Sequence, residues 1–166
     1  MVVLVGAQAA WGTHLGQSAY LRDVHGLAEG PPPPVDLARE KLVGDFVRGL
    51  IHEGAATSCH DLSDGGLAVA LAEMAIASGI GATVNEPDGQ PPVPVFFGED
   101  QARYLVTVPR NKIDWFLTER SKGAGVFASL IGTTGGRELK LGNARAIPVE
   151  ELRRVHEAWF PTYMDG

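Results

Sequence analysis

His60-Asp61-Leu62-Ser63-Asp64-Gly65-Gly66-Leu67 is the stretch on which the reading of this chain turns. Before it, Ala55 to Cys59 is predicted to form a strand. After it, Gly66 to Ala77 is rich in alanine and leucine and nearly apolar around its girth, which predicts a deeply buried helix ended by Gly79. The octapeptide is therefore a strand-to-helix junction. Free backbone N–H groups and the helix dipole at such a junction favour an anion, and Gly65 and Gly66 would let a phosphate approach the backbone closely. Asp61 and Asp64 place two carboxylates beside the same spot, so a phosphate role there needs a bridging Mg²⁺. The local alternative is that Ser63 or Asp64 caps the helix and the glycines form a tight turn. His60 reads as a hydrogen-bonded structural histidine and Cys59 as a small buried apolar residue.

Upstream, Val2-Val3-Leu4-Val5-Gly6 is an apolar run closed by glycine, consistent with a buried strand. A short helix is expected over Gly16 to Val24, with Ala19, Tyr20 and Val24 on one face. Pro31 to Pro34 can join neither a helix nor a central strand and forms an extended connector. Asp36 then caps a helix whose apolar residues Leu42, Val43, Phe46, Val47, Leu50 and Ile51 recur at helical spacing, with Gly54 after its last turn. Downstream come a strand over Ile80 to Val84, a Pro/Gly loop from Glu86 to Pro94 and a strand over Arg103 to Val108. A helix follows over Asn111 to Lys122, striped by Ile113, Phe116 and Leu117. Strands are expected over Val126 to Ile131, Glu138 to Leu141 and Ala146 to Val149, then a last helix from Glu150 with Leu152, Val155 and Trp159. The pattern predicts an α/β (α+β) fold, a mixed β-sheet flanked by helices, as one domain over residues 1–166.

Two further segments carry polar or glycine-rich character. Phe97-Gly98-Glu99-Asp100-Gln101-Ala102-Arg103 brings acid, amide and guanidinium groups to the start of a strand, suited to sugar hydroxyls or a phosphate, or to a turn with a surface ion pair. Gly132-Thr133-Thr134-Gly135-Gly136 lacks the lysine ending of a phosphate loop and is expected to be a hairpin turn.

Composition narrows the function classes. A net charge of −6 over 166 residues argues against a basic nucleic-acid surface and against an anionic membrane surface. No apolar run approaches the ~20 residues that span a bilayer, and the apolar start lacks the features of a signal peptide. A single cysteine excludes an internal disulfide and a multi-cysteine zinc site, which fits a reducing cytoplasm. The histidines show no spacing suited to a metal pair.

Three segments together carry a resemblance: L-G-Q-S-A-Y-L-R at Leu15 to Arg22, H-D-L-S-D-G-G-L-A-V-A-L-A-E-M at His60 to Met74, and F-G-E-D-Q-A-R-Y-L-V at Phe97 to Val106. In order and spacing they resemble the AIR synthetase-related C-terminal domain family and, within it, the catalytic subunit (subunit II) of phosphoribosylformylglycinamidine synthase, a ligase of purine biosynthesis. The first segment more often reads G-G-S-E-Y in that family. Here it is Gly16-Gln17-Ser18-Ala19-Tyr20, so Gln17 is given no functional weight.

The resemblance implies a larger enzyme of two similar halves, each a barrel-forming domain followed by an α/β domain like this one. That enzyme converts formylglycinamide ribonucleotide, glutamine and ATP to the amidine, ADP, phosphate and glutamate. ATP activates the formamide oxygen, and ammonia from a glutaminase partner displaces the phosphate. The resemblance assigns the catalytic histidine and most contacts to ATP and Mg²⁺ to the barrel-forming domains, so it implies no catalytic residue here and no turnover by this chain alone. It carries over a metal role to Asp61 and substrate contacts to Glu99, Asp100 and Gln101; together with the residue chemistry of the two segments, the candidate nucleotide- or substrate-binding residues are Ser63, Asp64, Gly65, Gly66, Glu99, Asp100, Gln101 and Arg103. The segment looks like the second-half copy, an auxiliary nucleotide site. Implied partners are the N-terminal domains of the same subunit, a glutaminase subunit, a small accessory subunit and the ribonucleotide substrate.

Three alternatives stand beside it. One is a structural or auxiliary nucleotide-binding module without catalysis. Another is the related domain of selenophosphate synthetase, thiamine-monophosphate kinase or a hydrogenase-maturation factor. The last is a docking domain for the glutaminase using Trp11, Trp159 or Phe160.

Overall fold

Strand β1 (Val2–Val5) is buried along its whole length, and successive residues point to opposite faces. Val2 and Leu4 join one apolar cluster and Val3 and Val5 another. A strand apolar on both faces must lie inside a sheet covered on both sides, and β1 does. The computed structural model describes residues 1–6, 13–86 and 89–165; Trp11 lies outside them. It shows a seven-stranded sheet in the order β2-β4-β1-β5-β3-β6-β7. β1 pairs antiparallel with β4 (Tyr104–Thr107) and β5 (Ala128–Thr134). β2 (Ser58–Asp61) forms one edge beyond β4. On the other side lie β3 (Ala82–Val84), β6 (Glu138–Leu141) and β7 (Ile147–Pro148), with β3 and β6 parallel. The mixed sheet with helices on both faces is the fold class that the sequence predicts.

The Val3–Val5 face is covered by α2 (Leu37–His52) and by a helical stretch over 110–123. That stretch runs through a 3-10 turn (Arg110–Lys112), α5 (Ile113–Trp115), a π segment (Phe116–Arg120) and α6 (Ser121–Gly123). The Phe46 and Phe116 rings meet edge-on at 6.2 Å. Asp36 caps α2 as expected, its carboxylate accepting from the Arg39 N–H at 3.1 Å. The opposite face holds α3 (Gly66–Ser78) and α4 (Pro92–Phe97), with Leu152 of α7 (Val149–Asp165) packed against that layer. Helix α1 (Ala19–His25) lies outside both layers and buries none of its residues.

Several expectations are corrected. The strand expected over Ala55 to Cys59 begins only at Ser58, because the Ala55 and Ala56 N–H groups donate back to the Leu50 carbonyl at the end of α2. The loop expected to Pro94 already turns helical at Pro92: proline fits a first helical turn, where its missing N–H costs nothing, and Val95 and Phe96 are drawn into the core. In α2, Leu42 and Ile51 are exposed because the helix rests on the sheet along a narrower stripe than its apolar spacing suggests. The hairpin expected at Gly132 to Gly136 is absent. β3 lies between β5 and β6, and the 135–136 turn arches over Gly81, whose N–H donates to the Gly136 carbonyl and whose carbonyl accepts from Gly135. A Cβ at Gly81 would stand 2.2 Å from the Glu138 carbonyl oxygen, so only glycine fits there.

Candidate functional site

Adjacent antiparallel strands bring the two polar segments together. β2 and β4 pair so that Asp61, the last residue of β2, stands opposite Tyr104, the first of β4. One step further the Leu62 N–H donates to the Arg103 carbonyl at 2.9 Å. The 62–65 turn and the 98–103 corner thus meet at one end of the sheet. Between them opens a cleft of about 260 Å³, lined by Asp61, Ser63, Asp64, Glu99, Gln101 and Arg103 among the expected site residues, with Pro33, Glu40 and Tyr104 also in its wall. Asp100, Gly65 and Gly66 lie beside it.

Hydrogen bonding separates these residues. One Glu99 carboxylate oxygen, Oε1, accepts from the Gly65 N–H and from the Ala19 N–H, each at 2.8 Å. Asp100 accepts from the N–H groups of Thr13 (2.8 Å) and His14 (3.1 Å), from the Thr13 hydroxyl (2.6 Å), and pairs with His14 Nδ1 (2.8 Å). Burial pushes the Asp100 carboxyl up, but the bonds from His14 and Thr13 outweigh it and hold the group well below the usual carboxylate range. Arg103 is buried at 3% exposure, donating to the carbonyls of Asp100 (2.9 Å) and Gly98 (2.5 Å). Asp61, Ser63, Asp64 and Gln101 remain exposed. Tyr104 shows the local field: burial, then the negative charges of Glu40 and Asp61, push its phenol up. The cleft is electronegative.

The glycine turn has a different physical reason from the expected one. Gly65, in the left-handed region, is the N-cap of α3 and no side chain of the turn caps it, so neither Ser63 nor Asp64 fills that role. Gly66 has φ 62, and a Cβ there would stand 2.5 Å from the Gly98 carbonyl oxygen. The close approach it permits is to the protein's own corner. His60 lies between the Asp61 carbonyl (2.6 Å) and the Glu73 carboxylate (3.1 Å), a structural placement as expected. Cys59 is half-buried against the α2 layer.

Thr13 and His14 are site residues that the sequence reading missed; they lie 86 to 87 positions from Asp100, and nothing local marks them. Among the described residues no group of three or more His, Cys, Asp or Glu is placed to hold a metal ion, and no helix is long and apolar enough to cross a membrane.

An α/β layer fold whose strand-to-helix turn meets an acidic corner across paired strands defines the class. The family model described as "AIR synthase related protein, C-terminal domain" matches residues 1–142, and the chain belongs to that family. Within it, the chain is 60% identical over 99% of its length to "Phosphoribosylformylglycinamidine synthase subunit PurL" of Mesorhizobium japonicum, and 62% identical over 99% to the protein of that name from Chelativorans. The match falls in the C-terminal part of these relatives and spans only 23% of each. Among solved structures, "T. maritima PurL complexed with ATP" matches 92% of this chain and 25% of its own with a TM-score of 0.67 at 18% identity, which supports the fold. Helix α7 lies beyond the residues that the family model matches.

Proposed function

We propose that this chain is the C-terminal α/β domain of a phosphoribosylformylglycinamidine synthase catalytic subunit. That subunit is the ligase that uses ATP, Mg²⁺ and glutamine-derived ammonia to convert formylglycinamide ribonucleotide to its amidine. The observation that carries this reading is the 60% identity along almost the entire chain to relatives of that name. In the whole protein its partners are the preceding domains of the same subunit, the glutaminase subunit and the small accessory subunit, in the cytoplasm.

The local cleft does not fit a complete Mg–nucleotide site. Glu99 already occupies the anion position at the start of α3, Arg103 is bonded to the backbone of its own corner, and among the described residues Asp61 belongs to no group of three or more His, Cys, Asp or Glu placed to hold a metal ion. Asp61 and Asp64 remain the exposed carboxylates that a nucleotide-bound Mg²⁺ brought from elsewhere would meet. ATP chemistry therefore resides in the rest of the subunit, and this domain contributes structure and part of a wall. The same observations favour a supporting role over an independent nucleotide-binding module.

The test compares two polypeptides. The longer subunit that includes this segment should form the amidine from formylglycinamide ribonucleotide, ATP and ammonium, and the 166-residue chain alone should not. Failure of the longer subunit to release ADP in a substrate-dependent way removes the ligase reading. Turnover by the short chain removes the assignment of the chemistry to the rest of the subunit.

A further inference from the structure

Residues 13–36 cross the outside of the cleft, carrying α1 and the proline run and supplying Pro33 to its wall. Helix α1 buries none of its residues fully, though its Tyr20 ring stacks on Phe97 at 4.8 Å. Beside that stack, two neighbouring carboxylates fasten the segment. Asp100 takes the entry end through Thr13 and His14, and Glu99 takes α1 at the Ala19 N–H. Further along, the segment closes on itself. The Gln17 N–H donates to the Glu29 carbonyl and its Nε2 to the Gly30 carbonyl, both at 3.0 Å.

Among the described residues, two non-glycine residues adopt the left-handed region, Gln17 at φ 60 and Ala102 at φ 56. One lies in the segment and the other in the corner that holds it. Such conformations persist where surrounding contacts over-determine them.

We propose that Glu99 and Asp100 form a two-point clasp fastening residues 13–36 against the α3 turn, with the Glu99 carboxylate as that turn's resident anion. An anionic ligand then reaches the Gly65 N–H only by displacing Glu99, and the displacement frees α1 at Ala19. The clasp is built from this chain's own groups, so it goes beyond the ligase reading and does not depend on it.

Ala19→Pro tests the clasp selectively. Ala19 is the first helical residue after the Ser18 cap, where proline keeps a helical φ and removes one N–H. Ser18 already has φ −71 and ψ 155, the extended setting that a residue before proline requires. The Gly65–Glu99 bond is left in place. Amide exchange at Arg22 and Gly26, which donate to the Ser18 and Arg22 carbonyls, should accelerate about tenfold or more, as loss of a bond to a charged acceptor implies. Exchange at Leu71 and Val106 should not change.

In Glu99→Ala, excess acetate, a carboxylate standing in for the one removed, should move the Gly65 amide resonance, whereas in the wild-type chain it should not. Unchanged Arg22 exchange in Ala19→Pro overturns the clasp. A Gly65 resonance that acetate moves equally in wild type and Glu99→Ala, or in neither, overturns the resident anion.

Discussion

Gly66→Ala separates a glycine required by packing from a glycine kept open for a ligand. The added methyl would stand 2.5 Å from the Gly98 carbonyl oxygen, 3.1 Å from the Phe97 carbonyl carbon and 3.2 Å from the Phe96 carbonyl oxygen. All three are backbone atoms, so no rotamer change relieves the contact. The left-handed φ of 62 adds a separate cost, about 1–2 kcal/mol for an L-residue. Overpacking a rigid site adds roughly 1–3 kcal/mol. The expected loss is therefore about 2–5 kcal/mol, a large share of the ~5–15 kcal/mol that holds a typical domain together.

Equilibrium urea unfolding of the 166-residue chain measures it. With a slope of about 2 kcal/mol per molar, the midpoint should fall by roughly 1–2.5 M. Gly123→Ala is the control: φ there is not left-handed and nothing lies within 4 Å of the built Cβ, so stability should hold or rise slightly. A Gly66→Ala chain within about 0.5 kcal/mol of wild type would refute the packing argument and return the glycine to a ligand-binding reason.

Asp100→Asn should cost about 2–3 kcal/mol at pH 7, because an amide cannot accept from both sides and its NH₂ faces donors. The folded carboxyl is held below its ordinary value, so its contribution is present above the unfolded pKa of about 4 and disappears as pH falls below it. The stability gap between wild type and Asp100→Asn should accordingly narrow between pH 7 and pH 3, and an unchanged gap in urea titrations refutes the bonding scheme. Cys59 should alkylate with iodoacetamide more slowly than an unstructured cysteine at pH 8, since burial and then the Asp61 charge push its thiol up; an equal or faster rate contradicts that environment.

Local chemistry made much of this molecule legible. The four consecutive apolar residues of β1 predict a buried strand, and Asp36 marks the start of α2, because each of these signals lies within a few residues of the element it specifies. The alanine-rich run predicts α3, and the element order predicts a mixed sheet with helices. The His60 to Leu67 turn is a strand-to-helix junction, as its residues indicate. What escaped sequence reasoning depends on partners far along the chain. The insertion of β3 between β5 and β6 is set by a Gly81 contact more than fifty residues distant, which turn composition at Gly132 to Gly136 does not encode.

The candidate site divides in the same way. Residue types and motif spacing determined that acids, glycines and an arginine gather at two points, and that their pattern is that of this family. Only tertiary structure decided what those groups do. Glu99 accepts from N–H groups 34 and 80 positions away, and Arg103 turns inward to its own corner's carbonyls. The physical reason is that a backbone N–H and a carboxylate attract at short range whatever their separation in sequence. The pairing of β2 with β4, not the motif itself, sets which ones meet.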